Sequence, residues 1–557
     1  MTGPHGTASR RRVGRVIAGS GAQHLVLIER QAEAGRPLCA GDVLVVGVGR
    51  QDAMTGAHAP LCVASVTAMT VPAPQTDGDT DEIRIAEVEL HGTLDDEGAF
   101  ARGVDRTPAL GDAVCTASTD DLTRLYAGAG APIGTITVEP GIAASADPDQ
   151  LARGFGVIGA AGSGKSCTLA VLTRALLRAR APIRPVLLDT HDEFARSFGR
   201  AARVVRPGRG FLPHWLLTFE EFCWVLSIQG GPLSPDERSL LEEAVPAARI
   251  RMLQRAEEPT GVPVGLDTPL PYRVTDAISF LDRTVHADAQ RGGAAYKRLR
   301  GRLAAASADP RLAPVFGGLS ANDTLPTLLA DLFGMAAGSP PMTVLQLGRL
   351  GLGLDRLFAA VLCRLARALG EGTNGRERVL VLLEDAERFA PRQAGGEGVA
   401  GAEALSRAAV LDLAASQEAS GAALGLVTAR PSLVHEHVLR AVPTLFVGRL
   451  PSEAERDCVS GVLPEGSAAA VASAGTQRAR AVVALGRGVP APGRYTLAEL
   501  PPAAVPRRVG SAPPNLAREE LAAALIRSWR FGGSGEEPVD PDAVLGAAPR
   551  PRTVPAA

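Results

Sequence analysis

Between residues 12 and 125, apolar and polar positions alternate in short runs. VGRVIAG, HLVLIE, DVLVVGVG, LCVASVTAMTV, EIRIAEVELHG and DAVCTAS are rich in β-formers and separated by Gly, Asp and Pro. Strands at that spacing predict a small N-terminal β-barrel. Residues 72–82, PAPQTDGDTDE, read as an exposed loop within it, and residues 1–11 as a flexible tail.

From Gly154 the rhythm changes. FGVIG is a short apolar strand, and the next 16 or so positions carry Leu169, Leu172 and Leu176 at helical spacing, predicting a helix over 165–180. Pro182 ends it and PVLLDT (185–190) forms the next strand, so this is a βαβ unit in a parallel sheet. Residues 232–335 are helical in pattern and read as an insert. Beyond them come the strand TVLQL and a helix with Leu354, Leu357, Val361, Leu365 and Leu369 on one face. The strands RVLVLLED (378–385), GLVTARPS (425–432) and TLFVGRL (444–450) follow. The plan is an α/β core in two parts, 126–231 and 336–490, preceded by the barrel and interrupted by the insert. Residues 491–557 read as a C-terminal extension, partly flexible, with one helix over 516–529.

Composition narrows this only a little. The 557 residues are 46% apolar and 21% charged, as in a soluble globular protein. Net charge is −2, so no global basic field points to nucleic acid, and DNA binding would need a local basic surface. Seven scattered cysteines without a C-x-x-C pair argue for a reducing compartment and against a zinc ribbon. No apolar run approaches the ~18–20 residues of a membrane span, and no apolar segment follows the charged N-terminus. The expectation is a cytoplasmic protein with no membrane association.

One residue changes the picture. Among 58 Lys and Arg, only Lys165 and Lys297 are lysines. Lys165 closes Gly159-Ala-Ala-Gly162-Ser163-Gly164-Lys165-Ser166, which fits G-x-x-x-x-G-K-[ST] between a strand and a helix. Glycines let backbone N–H groups turn inward around a phosphate, and the helix N-terminus adds partial positive charge. Lys165 supplies a compact charge to the β/γ-phosphates, where arginine's planar fork would not fit, and Ser166 can bind Mg²⁺. Gly159, Gly162, Ser163, Gly164, Lys165, Ser166 and Cys167 are the candidate ATP-binding residues. A second candidate site is the acid pair after RVLVLL. Glu384 is placed to hold Mg²⁺ and Asp385 to activate water. In LLDTHDEF, Asp189 and Glu193 either face the phosphate side or cap a solvated turn, and His191 reads as a loop histidine.

Taken in order, these motifs resemble the HerA-type ATPases, a branch of the HerA/FtsK group of hexameric P-loop DNA translocases. The resemblance runs from about residue 12 to 490. LARGFGVIGAAGSGKS resembles the family's barrel-to-ATPase junction, DTHDEF its D-P-H-G-E-Y segment, and LPHWLLTFEEF its L-P-x-W-L-x-x-x-E-L run. YKRLRGRLAAASADPRL resembles the end of its helical insert. LLEDAERFAP resembles its E-E-A-H-x-x-x-P box and GLVTARPS its L-V-S-Q-R-P-S segment. The resemblance implies a RecA-like fold, ATP and Mg²⁺ as cofactors, and a homohexameric ring with DNA in its pore. It also implies a partner, either a NurA-like nuclease in DNA end processing or an effector in phage defence. Arg153 matches an arginine that contacts nucleotide, and Arg430 is the retained arginine of R-P-S. Lys165, Glu384, Asp385 and Arg430 are thereby the catalytic set.

The chain departs from that pattern where hydrolysis is controlled. The second acid is Asp385 rather than Glu, the box histidine is Glu387, and the glutamine before R-P-S is Ala429. QEASG (417–421) holds no basic residue where the family carries E-G-R-K, with an arginine acting on the neighbouring subunit. Arg407, Arg440 and Arg449 are the alternatives for that role. Two basic clusters, Arg196–Arg209 and Lys297 with Arg298, Arg300 and Arg302, either line a pore or form solvated faces. Aromatics are 4% of the chain, against a base-stacking platform. Two readings compete: an ATP-driven motor, and a scaffold that binds ATP and assembles with little hydrolysis. A membrane-anchored pump or secretion ATPase shares the core fold.

Overall fold

A computed structural model describes residues 10–29, 37–47, 61–71, 83–95, 99–128, 130–255, 264–287, 293–317, 323–393, 399–463 and 468–507, together with 520, 522 and 526. The loop expected at 72–82 and most of the helix expected at 516–529 lie outside the described residues. Met1–Arg507 forms one compact unit and Arg508–Ala557 a second. A barrel and a large sheet make up the first.

The barrel comes from β1 (Arg12–Ser20), β2 (Gln23–Ile28), β3 (Val43–Gly47), β4 (Leu61–Thr70), β5 (Arg84–Leu94), β6 (Phe100–Arg102) and β7 (Ala113–Thr116). Six of them close antiparallel in the order β1-β7-β3-β4-β5-β2, with β2 pairing back to both β5 and β1. The interior is aliphatic: Val13, Val26, Leu44, Val46, Ala64 and Val88 among others. DVLVVGVG is apolar without alternation because β3 is buried on both faces. Leu44 and Val46 point into the barrel, while Val43 and Val45 join the cluster of the main domain with Val63 and Cys115. The barrel is therefore docked on the core through β3, β4 and β7, with Leu94 at the end of β5 and Phe100 and Arg102 of β6.

The core is one sheet of eleven strands. In chain order these are β8 (Ala131–Ile136), β9 (Ala143–Ala146), β10 (Gly156–Ile158), β11 (Arg184–Asp189), β12 (Ala202–Val205), β13 (Met342–Gln346), β14 (Val379–Glu384), β15 (Ala422–Thr428), β16 (Thr444–Val447), β17 (Ala481–Gly486) and β18 (Gly493–Leu497). The spatial order is β12-β13-β11-β14-β15-β10-β16-β17-β18-β8-β9. Pairings from β12 to β16 are parallel, and those from β16 to β9 antiparallel. The parallel half is the RecA-like core expected from the sequence. The antiparallel half is not expected from the sequence, and the boundary placed at residue 490 falls between β17 and β18. Pro and Gly around 487–493 belong to the turn of that hairpin, not to a loosening chain.

Parallel order puts every strand's C-terminal end on one edge, so the loops after β10, β11 and β14 meet there. Between β12 and β13 the described residues form six α-helices, Phe219–Ser227, Pro235–Arg255, Val274–Ala287, Ala294–Ala308, Ala313–Phe316 and Leu325–Phe333. LPHWLLTFEEF anchors them. Trp215 is fully buried, Thr218 and Glu221 form a capping box, and buried His214 packs on Tyr272 and Phe316. No helix among the described residues is long and apolar enough to cross a membrane.

The helix Leu354–Gly372 buries the face predicted for it, including Leu354, Leu357 and Val361. Its end abuts the helix Val399–Ser420, where a Cβ on Gly370 would sit 1.8 Å from the Ser420 carbonyl oxygen. Gly370→Ala should destabilise the fold by about 1–3 kcal/mol, since neither backbone can yield without repacking. Gly301→Ala is the control. It lies inside the helix Ala294–Ala308 with nothing near its missing Cβ, and should stabilise by about 0.5–1 kcal/mol. Thermal melts of the two variants beside the parent check both signs.

Candidate nucleotide site

The loop after β10 is shaped by its glycines. Gly162 and Gly164 have φ of 73° and 95°, which side chains resist, and Gly164 starts the helix Lys165–Ala179. A Cβ on Gly159 would lie 2.5 Å from Ser163 Oγ. The loop is tied to its neighbours by Gly159 N–H to the Thr428 carbonyl (3.1 Å) and Ala160 N–H to the Arg449 carbonyl (2.8 Å). Ser163 Oγ is buried and has no hydrogen-bond partner. Lys165 Nζ donates to the Ala160 carbonyl at 3.2 Å, inside its own loop. Burial lowers the Lys165 pKa, and the charges of Asp385, Glu387, Glu193 and Glu384 oppose that shift. The cradle, the unpartnered hydroxyl and the ammonium fit a phosphate chain.

The acids arrive from β11 and β14, paired in parallel. Glu384 is 4% exposed, and its Oε2 accepts from Thr190 N–H (2.8 Å) and Thr190 Oγ1 (3.0 Å). Burial, then the charges of Asp189, Glu193 and Asp385, push its pKa well above the carboxylate range. Asp385 follows in left-handed backbone, φ 54° and ψ 59°. That bend turns its carboxylate to His191, whose Nε2 lies 2.7 Å from Oδ2, with Thr190 Oγ1 at 3.3 Å. His191 lies in the loop after β11, and there it is the partner of the expected base. Asp189 is fully buried and accepts from the N–H groups of Glu193 and Phe194, both at 3.0 Å, which is the turn-capping role. Among the described residues, no three His, Cys, Asp or Glu cluster as a metal site. Ser166 and Glu384 would hold Mg²⁺ only together with phosphate oxygens, as this ion commonly binds.

The departures from the motif pattern form a network of their own. Glu387 accepts from Thr428 Oγ1 at 2.7 Å, Thr428 Oγ1 accepts from Arg430 N–H at 3.0 Å, and Arg430 Nε lies 3.7 Å from Glu387. Arg430 itself is largely exposed. Of the three arginines raised as replacements, Arg440 pairs with Glu436 and Arg407 donates to the Arg392 carbonyl. Arg449 alone of these approaches its own loop, its Nη2 about 4.0 Å from where a Cβ on Gly162 would be. Cys167 turns to a separate cavity of about 130 Å³ with Arg480 and Leu497. Arg153 precedes β10, at the opposite end of the strand from the loop, so it is not part of the phosphate pocket within this chain.

Most of the two basic clusters is engaged inside the fold. Arg203 pairs with Asp331, Arg206 donates to Gln346 and Arg209 to the Gly317 carbonyl. Arg298 and Arg302 close on buried Glu237, and Arg300 on Asp282. Arg196, Arg200 and Lys297 are exposed and have no side-chain partner among the described residues.

The Glu384 environment sets a pH dependence. A carboxyl whose folded pKa is raised holds its proton longer when folded, so its stability contribution declines as pH climbs above the ordinary carboxylate range. Without nucleotide or Mg²⁺, Glu384→Gln should melt higher than the parent at about pH 8, and the gap should close toward about pH 5. Melting curves across that range would show a constant gap if the group were not strained.

Residues 131–366 match the family model described as "Helicase HerA, central domain". A search of curated protein sequences finds no match. Among solved structures, VirB4 of Thermoanaerobacter pseudethanolicus aligns at 13% identity and TM-score 0.47, over 68% of this chain and 98% of that one. The plasmid coupling protein TrwB in complex with ADP and Mg²⁺ aligns at 13% and 0.42, over 70% and 94%. The genome packaging NTPase B204 from Sulfolobus turreted icosahedral virus 2 aligns at 10% and 0.29, over 63% and 100%. The phosphate loop lies within residues 131–366, the part of this chain that is similar to the central domain of HerA helicases.

Proposed function

We propose that the chain is an ATP-driven motor of the HerA type, working in the cytoplasm as a hexameric ring on DNA. The observation that carries this is the meeting of Lys165 with Glu384 and Asp385 at one edge of the sheet. The loop amides and Lys165 grip the β/γ-phosphates. Ser166 and Glu384 would hold Mg²⁺, which when bound offsets the charge of the phosphate oxygens. Asp385, aligned by His191 and Thr190, accepts the proton of the attacking water. Arg430, held over Glu387, faces outward at the same edge. Arg196, Arg200 and Lys297 are the basic side chains left for sequence-independent contact with the DNA backbone. A NurA-like nuclease or a defence effector would bind the barrel away from β3, β4, β6 and β7, which contact the core.

A second reading keeps ATP binding and ring assembly but little turnover. It is favoured by Asp385, Ala429 and the lack of a basic residue in 417–421.

ATP binding and hydrolysis by the parent, Lys165→Ala, Asp385→Asn and His191→Ala, with and without duplex DNA, separate the two. For the motor, Lys165→Ala loses binding. Asp385→Asn keeps it while turnover falls at least about 100-fold, as for loss of a general base. His191→Ala should cut turnover about tenfold with little change in ATP affinity, because it only aims the base. If the parent is no faster than Asp385→Asn while ATP still drives hexamers in sedimentation, the motor is lost and the scaffold stands.

A further inference from the structure

The cavity beside Cys167, about 130 Å³, adjoins the phosphate loop between the helix Lys165–Ala179 and the chain that follows β18. Its walls are aliphatic, with Val171 on the helix and Leu497, Leu500 and Val505 on the far side. Arg480 and Glu499 supply its charged groups. The far wall belongs to the segment that reads as a C-terminal extension in the sequence.

Backbone bonds hold this space open. Leu497 N–H donates to the Arg480 carbonyl (3.0 Å), Ala498 N–H to the Ile133 carbonyl (2.8 Å), and Arg507 N–H to the Glu193 carbonyl (2.9 Å). Residues 498–507 are thereby tied at one end to β8 and at the other to the acid-bearing loop after β11, and Pro501 and Pro502 stiffen the span. Arg480 sits in left-handed backbone at φ 69°, a region that a long side chain resists. Its backbone nitrogen lies 3.6 Å from where a Cβ on Gly164 would be, so the residue stands directly beside the phosphate loop. Arg480 Nη1 is 3.7 Å from Glu499 Oε2, and Glu499 is 85% exposed. An ion pair so placed contributes little to the fold, which leaves both groups free to turn to a ligand.

We propose that this cavity takes the base of the nucleotide whose phosphates lie on the loop, and that Glu499 and Arg480 select adenine against guanine. The inference rests on the ATP reading of the loop and adds how the base is chosen. A pocket for a whole ligand has roughly 300–1,000 Å³, so this smaller space fits part of one. Aliphatic walls on two sides suit the faces of a flat ring. Adenine carries the N6 amino donor beside the N7 acceptor, whereas guanine carries O6 beside N7, two acceptors. A carboxylate next to a guanidinium matches the first: Glu499 accepts from N6–H and Arg480 donates to N7. Guanine would set O6 against the Glu499 carboxylate, a repulsive contact that separates the two purines. The acid decides the choice of base, and the arginine adds a grip common to both.

Calorimetry in Mg²⁺ with ATP, GTP, inosine triphosphate and inorganic tripolyphosphate tests it. Inosine triphosphate carries O6 in place of the amino group, and tripolyphosphate reads the loop without a base. The parent should bind ATP at least about tenfold more tightly than GTP or inosine triphosphate. Glu499→Gln, whose amide can donate to O6, should bring the three nucleotides within about threefold of one another. Arg480→Ala should weaken ATP and GTP alike. Tripolyphosphate affinity should be the same in the parent and both variants, which also shows that each is folded. Equal affinity of the parent for ATP and GTP, a ratio unmoved by Glu499→Gln, or loss of tripolyphosphate binding in folded Arg480→Ala, which would make that arginine a phosphate ligand, would each overturn the base site and leave the loop reading standing. A folded parent that binds neither ATP nor tripolyphosphate removes the loop reading, and the base site with it.

Discussion

Charge balance around one ammonium governs the upper edge of this molecule. Lys165 is partly withdrawn from water and faces Asp385, Glu387, Glu193 and Glu384, with Asp189 buried behind them. Lys165, with Arg430 beside Glu387, faces more carboxylates than these two cations balance. The pKa values of Glu384 and Asp189 are raised by burial first, and neighbouring carboxylates add to the rise. A group of carboxylates held this way is poised for cationic charge that enters with a ligand, and the amides of the loop are poised for its phosphates. Neither half is comfortable alone, which ties the glycine geometry of 159–164 to the burial of Glu384.

The sheet's polarity distributes the rest. Because β10, β11, β14 and β15 run parallel, their C-terminal ends gather the loop, the acids and Thr428 on one edge. The residues that precede the strands gather on the other. Arg153 and QEASG are close to the phosphate loop in sequence logic, yet they sit at the far edge in this protomer. A basic residue missing from 417–421 is therefore not a gap in the P-loop pocket. It is a gap in a different surface, where arginines from other segments are present.

Much of this is legible in the sequence, for identifiable reasons. The phosphate loop is local, eight consecutive residues with a backbone requirement that only glycine meets. The strands β11, β13, β14 and β15 are buried on both faces and show as unbroken apolar runs. β8, β9 and β18 are not legible, because Ala, Gly, Thr and Pro carry little periodic contrast, and β8 and β18 pair with each other across hundreds of residues. The arginine clusters mislead for a related reason. Asp331 and Glu237, which engage Arg203 and Arg298, lie 128 and 61 residues from them, and a count of like charges cannot see them. His191 lacks a second ligand at metal spacing, and so looks idle in the sequence, whereas its partner is a carboxylate on the adjacent strand.

The shorter acid at position 385 is better understood as a fit to its backbone than as a loss. The residue sits at φ 54°, a region that Asp enters more readily than Glu because its short polar side chain can bond locally. The bend is set by what flanks it. Glu384 must stay inward to receive the Thr190 N–H, and Ala386 begins a short buried helix. Holding both neighbours in place leaves the intervening residue to absorb the turn. Aspartate loses a methylene of reach, and His191 and Thr190 restore direction by fixing the carboxylate that remains. Glu387 makes the same kind of adjustment one turn on. Where a histidine would give a second donor, it accepts from Thr428 and holds Arg430 nearby, so the polar edge stays paired with donors and acceptors exchanged. The acids at 385 and 387, which look like erosion when taken one at a time, are hydrogen-bonded in the folded chain to Thr190, His191 and Thr428. With these bonds made, neither acid leaves a polar group unpaired at this edge.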